Sequence, residues 1–330
     1  MKRRLLIATA AAAAALATAA PTLAQPKEKV TLLLNWYVYS EHAPFFLGKE
    51  RGFYDAEGID LEIQEGRGSA VSAQAVAAGS ATFGYIDVST MIKAAAKGMP
   101  VKAVGVALQT SPMAAIGLTE KNVKGPKDIV GKTVAMTPGD AMSQIWPLFL
   151  KKTGLQENQY KVVSGDAQTK LNAVINGQAD LLLGYVMDQN IKVQDATKKP
   201  VSVVRFADYG VNLINSGIIA SKETIASKPD LVRRFMRAST RALEEAEKNP
   251  EAAVDAMLKA QPKAGLRETL VIGMKLTTPL YHTEDTKGQR PFRVSMKNVN
   301  ESLDMLVQYG GMDPATRGKA EDYVALEFLP

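Results

Sequence analysis

The stretch Asn35-Trp36-Tyr37-Val38-Tyr39-Ser40-Glu41-His42 gathers an amide, three aromatic rings, a carboxyl and an imidazole within a few turns of chain. Aromatics make up only 6% of the sequence and two residues are tryptophan, so rings at 36, 37 and 39 form an unusual concentration. Such rings suit a flat or apolar ligand, each aromatic pair contributing about 0.5–1.5 kcal/mol beyond burial. Two contacts give roughly 1–3 kcal/mol against about 8 kcal/mol for micromolar binding, so hydrogen bonds and burial must supply the rest. Candidates are the amides at Gly68 and Ser69, the Ser69 hydroxyl, Asp87, and the turn Thr137-Pro138-Gly139-Asp140. Arg67 would add a cation for an anionic ligand. The same residues have plainer roles too: Trp36 as core, His42 as a helix-turn residue, Asp87 as the N-cap of a helix beginning near Ser89.

Catalytic arrangements are not visible. The chain has no cysteine, which excludes a thiolate nucleophile, a cysteine metal site, a disulfide framework and a lipid-attachment cysteine. His42 and His282 are far apart and have no metal-ligand spacing. Gly125 to Thr133 resembles a phosphate-binding loop, but five residues rather than four separate its glycines and it precedes a strand instead of following one. Gly66-Arg67-Gly68 carries only one glycine pair of a dinucleotide fingerprint. No Gly-x-Ser-x-Gly elbow occurs. The expectation is therefore a binding protein with no metal and no cofactor, and not an enzyme.

The elements that must position these residues alternate. Short apolar runs at 29–34, 60–64, 83–86, 101–108, 113–118, 133–136, 160–163, 179–184 and 214–220 read as strands. Helical spacing fills 40–51, 70–78, 89–97, 141–152 and 169–176, with glycines or prolines at many of the ends. Pro229 opens a long helix that Asn249-Pro250 closes. This is the grammar of an α/β sheet with crossover helices, and ligands in such sheets bind at the carboxyl ends of strands, where Asn35 to His42 lies.

The N-terminus reads Met1-Lys2-Arg3-Arg4, an apolar run from Leu5 to about Ala20, and small residues ending at Ala24, the pattern of a cleavable leader. Its removal leaves about 306 residues, more than one core usually serves, so two domains are expected. The formal charge falls from +6 to +3, too mild a surplus to indicate nucleic acid. The expected organisation is a leader over 1–24, one discontinuous lobe over 25–112 and 214–330, and an inserted lobe over 113–213.

Asn35-Trp36, His42-Ala43-Pro44-Phe45-Phe46, Gly52-Phe53-Tyr54 and Glu57-Gly58-Ile59-Asp60-Leu61 together resemble the sulfonate-binding and thiamine-pyrimidine-binding family of ABC importer solute-binding proteins. Ala77-Ala78-Gly79, Gly131-Lys132-Thr133-Val134 and Ile175-Asn176-Gly177-Gln178-Ala179-Asp180 look like the same family. The resemblance implies a two-lobed type II periplasmic-binding fold, each lobe a mostly parallel sheet, with two hinge crossings. It also implies a periplasmic monomer that hands its ligand to a permease and its ATPase. Asn35-Trp36 followed by His42 is closer to the pyrimidine branch, where Trp36 would stack on the ring and His42 would lie near it. The related pyrimidine-forming enzymes of eukaryotes carry a cysteine-rich motif absent here. The first expectation is thus a flat heteroaromatic such as a thiamine pyrimidine precursor; the alternatives are a sulfonate, nitrate-like anion or small carboxylate, and, from another class, an enzyme acting on a pyrimidine. Closure would bring Tyr185, Met187 and Asp188 opposite Trp36.

Overall fold

The computed structural model describes residues 26–330; the expected leader lies outside the described residues. The ten strands are β1 (Glu28–Leu34), β2 (Ile59–Gln64), β3 (Phe83–Asp87), β4 (Val101–Val106), β5 (Met113–Leu118), β6 (Thr133–Met136), β7 (Lys161–Ser164), β8 (Leu181–Tyr185), β9 (Val201–Arg205) and β10 (Ser216–Ser221). They form two five-stranded sheets, ordered β2-β1-β3-β10-β4 and β7-β6-β8-β5-β9. In the first, β1 runs parallel to β2 and β3, while β10 is antiparallel to β3 and β4. In the second, β6 runs parallel to β7 and β8, while β5 is antiparallel to β8 and β9. Each sheet therefore has one reversed strand in the same place, and the reversed strand is the one by which the chain enters or returns.

The chain passes between the sheets twice, after β4 and after β9, and the passing segments are tied together. Ala107 and Leu108 N–H groups donate to the Ser216 carbonyl at 2.8 and 2.9 Å, and Asn215 N–H donates to the Leu108 carbonyl at 2.8 Å.

Several boundaries differ from the sequence expectations. Ser40–His42 is a single 3-10 turn and the α-helix begins at Ala43, because Pro44 fits the first turn of a helix, where its missing N–H has no partner to lose. The strand β9, with its partly exposed face, carries too little apolar periodicity to stand out in the sequence. The C-terminal region is helical as expected, led by Pro229–Lys248, whose buried Leu231, Val232, Phe235, Met236 and Leu243 recur on one face.

That helix anchors the first sheet. Phe235 stacks on Phe83 of β3 with ring centroids 4.1 Å apart, and Tyr54 donates or accepts a 3.1 Å hydrogen bond with Ser239 on the same helix. Phe235 is fully buried. Phe235→Ala is expected to lower unfolding free energy by about 3–5 kcal/mol, since a large ring leaves a cavity its neighbours cannot refill. Urea unfolding of the two proteins checks this, and a loss below about 1 kcal/mol would contradict the packing role.

Candidate functional site

Segments that follow β1, β2, β6, β7 and β8 meet between the lobes around a small cavity. Asn35, Trp36, Tyr39 and Ser69 line it from the first lobe; Asp140, Ala141, Met142, Lys170, Gly184, Tyr185 and Gln189 line it from the second.

The β1 loop is held from below. Gly66 N–H donates to the Trp36 carbonyl at 3.1 Å, and Glu65 accepts from Val38 N–H at 2.8 Å. Gly66 is required here, because a Cβ would stand 1.8 Å from the Leu34 carbonyl oxygen. His42 is fully buried, with Nε2 2.8 Å from Asn35 Oδ1 and Nδ1 accepting from Tyr39 N–H at 3.4 Å. Burial pushes its pKa down to about 3, so the imidazole is neutral. Glu41 is also buried and accepts from the Tyr85 hydroxyl at 2.8 Å and from the Tyr39 hydroxyl. Burial holds its carboxyl above the usual range. Asp87 caps the helix Val88–Ala95 through Thr90 N–H at 2.6 Å and accepts from Asn215 Nδ2 at 2.8 Å. Burial pushes Asp87 up to about 7. Among the described residues neither carboxyl has an ion-pair partner.

The opposite wall carries the site's cation. Lys170, 2% exposed, pairs with Asp140 at 3.1 Å and lies 5.1 Å from the centroid of the Trp36 ring in the other lobe. Asp140 also caps the helix Ala141–Thr153 through Ser143 N–H at 2.7 Å. Gln189 Oε1 accepts from Tyr185 N–H at 2.7 Å. Two buried polar atoms of lining residues have no protein partner: Trp36 Nε1 and the Tyr185 hydroxyl.

The expected site residues thus divide. Asn35, Trp36, Tyr39, Ser69, Asp140 and Tyr185 converge on the cavity, whereas His42 and Asp87 stand behind it as supports. Tyr37 and Thr137 line an outer groove that also includes Arg67. Tyr37 donates to Asp188 across the cleft, making that pair a lobe-to-lobe clasp beside the cavity, while Met187 is fully buried in the core and does not line the cavity. Gly68 and Gly139 touch each other: the Gly139 carbonyl accepts from Ala70 N–H at 3.4 Å, and a Cβ on Gly68 would lie 2.6 Å from that oxygen. The first amides of the helix Ser69–Ala77 therefore meet the other lobe rather than an open space. Sequence reasoning missed Lys170 and Gln189, because helical spacing gives no sign of which lysine faces a cleft.

Two α/β sheets joined by paired crossings and closed over a cavity define the two-lobed fold of the periplasmic binding proteins. The alkanesulfonate-binding protein SsuA from Xanthomonas axonopodis pv. citri, bound to MOPS, shares that fold with a TM-score of 0.69 at 13% identity, covering 90% of this chain and 98% of its own. The chain belongs to the NMT1/THI5-like family, whose model matches residues 39–253. It is 27% identical over 285 residues to the 4-amino-5-hydroxymethyl-2-methylpyrimidine phosphate synthase of Legionella pneumophila, covering 86% of each chain. It is 29% identical over 263 residues to the riboflavin-binding protein RibY of Chloroflexus aurantiacus, covering 78% of this chain and 74% of that one. No helix among the described residues is long and apolar enough to cross a membrane.

The buried Asp87 gives a pH signature. Its folded pKa lies above the unfolded value, so its contribution is fully present below about pH 4 and is lost progressively as pH rises to about 7. Relative to Asp87→Asn, the wild-type protein is expected to lose stability between about pH 4 and pH 7, on the order of a few kcal/mol. Thermal unfolding of both proteins across that range checks it; parallel curves would show that Asp87 does not titrate there.

Proposed function

We propose that this protein is the solute-binding component of an ABC importer, exported to the periplasm, which encloses a small flat heteroaromatic ring such as a thiamine pyrimidine precursor and delivers it to a permease. The observation that carries this reading is the cavity between the lobes with Trp36 and Tyr185 contributed by opposite lobes, each holding a buried polar atom without a hydrogen-bond partner. An orphaned donor or acceptor in such a place costs about 1–3 kcal/mol unless a ligand satisfies it. The lobes, taken as 25–112 with 214–330 and as 113–213, act as jaws. Tyr37 and Asp188 join them at one side of the cavity, and Lys93 Nζ donating to the Gln144 carbonyl at 2.8 Å joins them at another. A ligand that contacts both jaws favours the closed state by its extra contacts there.

Charge gives an anion little purchase, because Lys170, the one cation lining the cavity, is already paired with Asp140. Of the first amides of the helix Ser69–Ala77, that of Ala70 donates to the Gly139 carbonyl. Among named relatives, one makes a pyrimidine phosphate and another binds riboflavin, and both names denote flat nitrogen heterocycles.

The synthase relative motivates a second reading, in which the ring is made or altered in the cavity. Binding is favoured here because His42 is walled off from the cavity and Lys170 is engaged by Asp140. Native mass spectrometry of the protein purified from its own host, with identification of the released compound, separates these readings. A flat heterocycle recovered unchanged after incubation with the protein supports transport; a converted compound supports catalysis; a sulfonate or carboxylate overturns the ring. For the recovered heterocycle, Trp36→Ala is expected to weaken binding at least about tenfold by calorimetry, and unchanged affinity would remove Trp36 from the site.

A further inference from the structure

The orientation of one amide follows from the burial of His42. Tyr39 N–H can only donate, so His42 Nδ1, which faces it at 3.4 Å, must be the unprotonated nitrogen. In a neutral ring the proton then sits on Nε2, which donates to its neighbour at 2.8 Å. That neighbour must be the Asn35 oxygen; turning the amide over would set N–H against N–H in a fully buried place. The edges of Tyr39 and Tyr85 flank the imidazole, with centroids 4.5 and 5.8 Å away, so the ring cannot swing to another partner. Asn35 lines the cavity, and its Nδ2 is the half of the amide left for whatever fills that space. On the cavity side the locked amide therefore offers a donor and no acceptor.

We propose that His42 is a positioning residue that locks Asn35 with its amide nitrogen toward the cavity, so that the bound ring must present a hydrogen-bond acceptor, an unprotonated ring nitrogen or a carbonyl, to the Asn35 edge. This rests on the ring-binding reading above and narrows it. Flat hydrocarbons and rings whose corresponding edge carries only C–H or N–H groups are rejected, because the Asn35 donor would remain unpaired. Asn35 touches the ligand; His42 acts through Asn35.

Two measurements test the proposal separately from the function it rests on. Proton and nitrogen NMR of histidine-labelled wild-type protein reads the tautomer without ligand: His42 is expected as the neutral Nε2–H form, unchanged between about pH 8 and pH 5. A protonated ring or an Nδ1–H tautomer would overturn the lock. Calorimetry then compares 4-amino-5-hydroxymethyl-2-methylpyrimidine with 2-amino-4-methylbenzyl alcohol, the same outline with both ring nitrogens replaced by C–H. Wild type is expected to favour the pyrimidine by about 30-fold or more, the effect of leaving a buried donor unpaired. Asn35→Asp, which replaces the donor by an acceptor, and His42→Phe, which frees the amide, should each reduce that preference to within about threefold while retaining the affinity for the benzyl alcohol. Retained affinity for the benzyl alcohol shows that the cavity still forms, which a general loss of folding would not leave intact. Equal wild-type affinities, or a preference that survives both substitutions, would overturn the acceptor edge. Failure of the pyrimidine to bind wild type would overturn the ring reading of the site, while the histidine spectrum still decides the lock.

Discussion

Between Asn35 and His42 the chain buries an amide, a hydroxyl, a carboxyl and an imidazole without a single ion pair among them. That constraint shapes the rest of the site. Charged groups in so dry a place are costly, so the imidazole is neutral and the Glu41 carboxyl is shared between two phenols. A neutral histidine has one donor and one acceptor, and both are used. The loop therefore has little freedom, and the faces it turns to the cavity follow from bonds made behind it.

The second half of the site comes from the other lobe. The first lobe supplies the aromatic and amide wall; the second supplies Lys170, Tyr185 and Gln189. The contact is made by backbone as much as by side chains, with Gly68 set against the Gly139 carbonyl at a separation that leaves no room for a Cβ. The Lys170 ammonium, paired within its own lobe and facing the Trp36 ring of the other, joins wall and lid without leaving a bare charge in the cavity. The cleft thereby combines a paired charge with a few oriented polar atoms.

Much of the architecture was legible in the chain. Apolar or alternating runs located nine of the ten strands among the described residues, while the short β9 was not set apart from the polar segment before it. Asn35, Trp36 and Tyr39 were legible as site residues from their place after the first strand. Tyr37, Asp188 and Met187 were placed at the cavity by the same logic, yet the structure puts the first two in a clasp across the lobes and the third in the core. Side-chain direction around a tight turn depends on contacts from the opposite lobe, which local spacing does not contain.

By itself the sequence determined the alternating α/β grammar, the aromatic loop at a strand end and the absence of cysteine chemistry, since these depend on local periodicity and composition. Only the tertiary structure decided which lysine faces Trp36, that the Ala70 amide donates to the Gly139 carbonyl, and that His42 stands behind Asn35 instead of beside the ligand. The physical reason is the same in each case: hydrogen-bond partners and burial arise between segments dozens of residues apart, and they appear only when the two lobes are folded and closed.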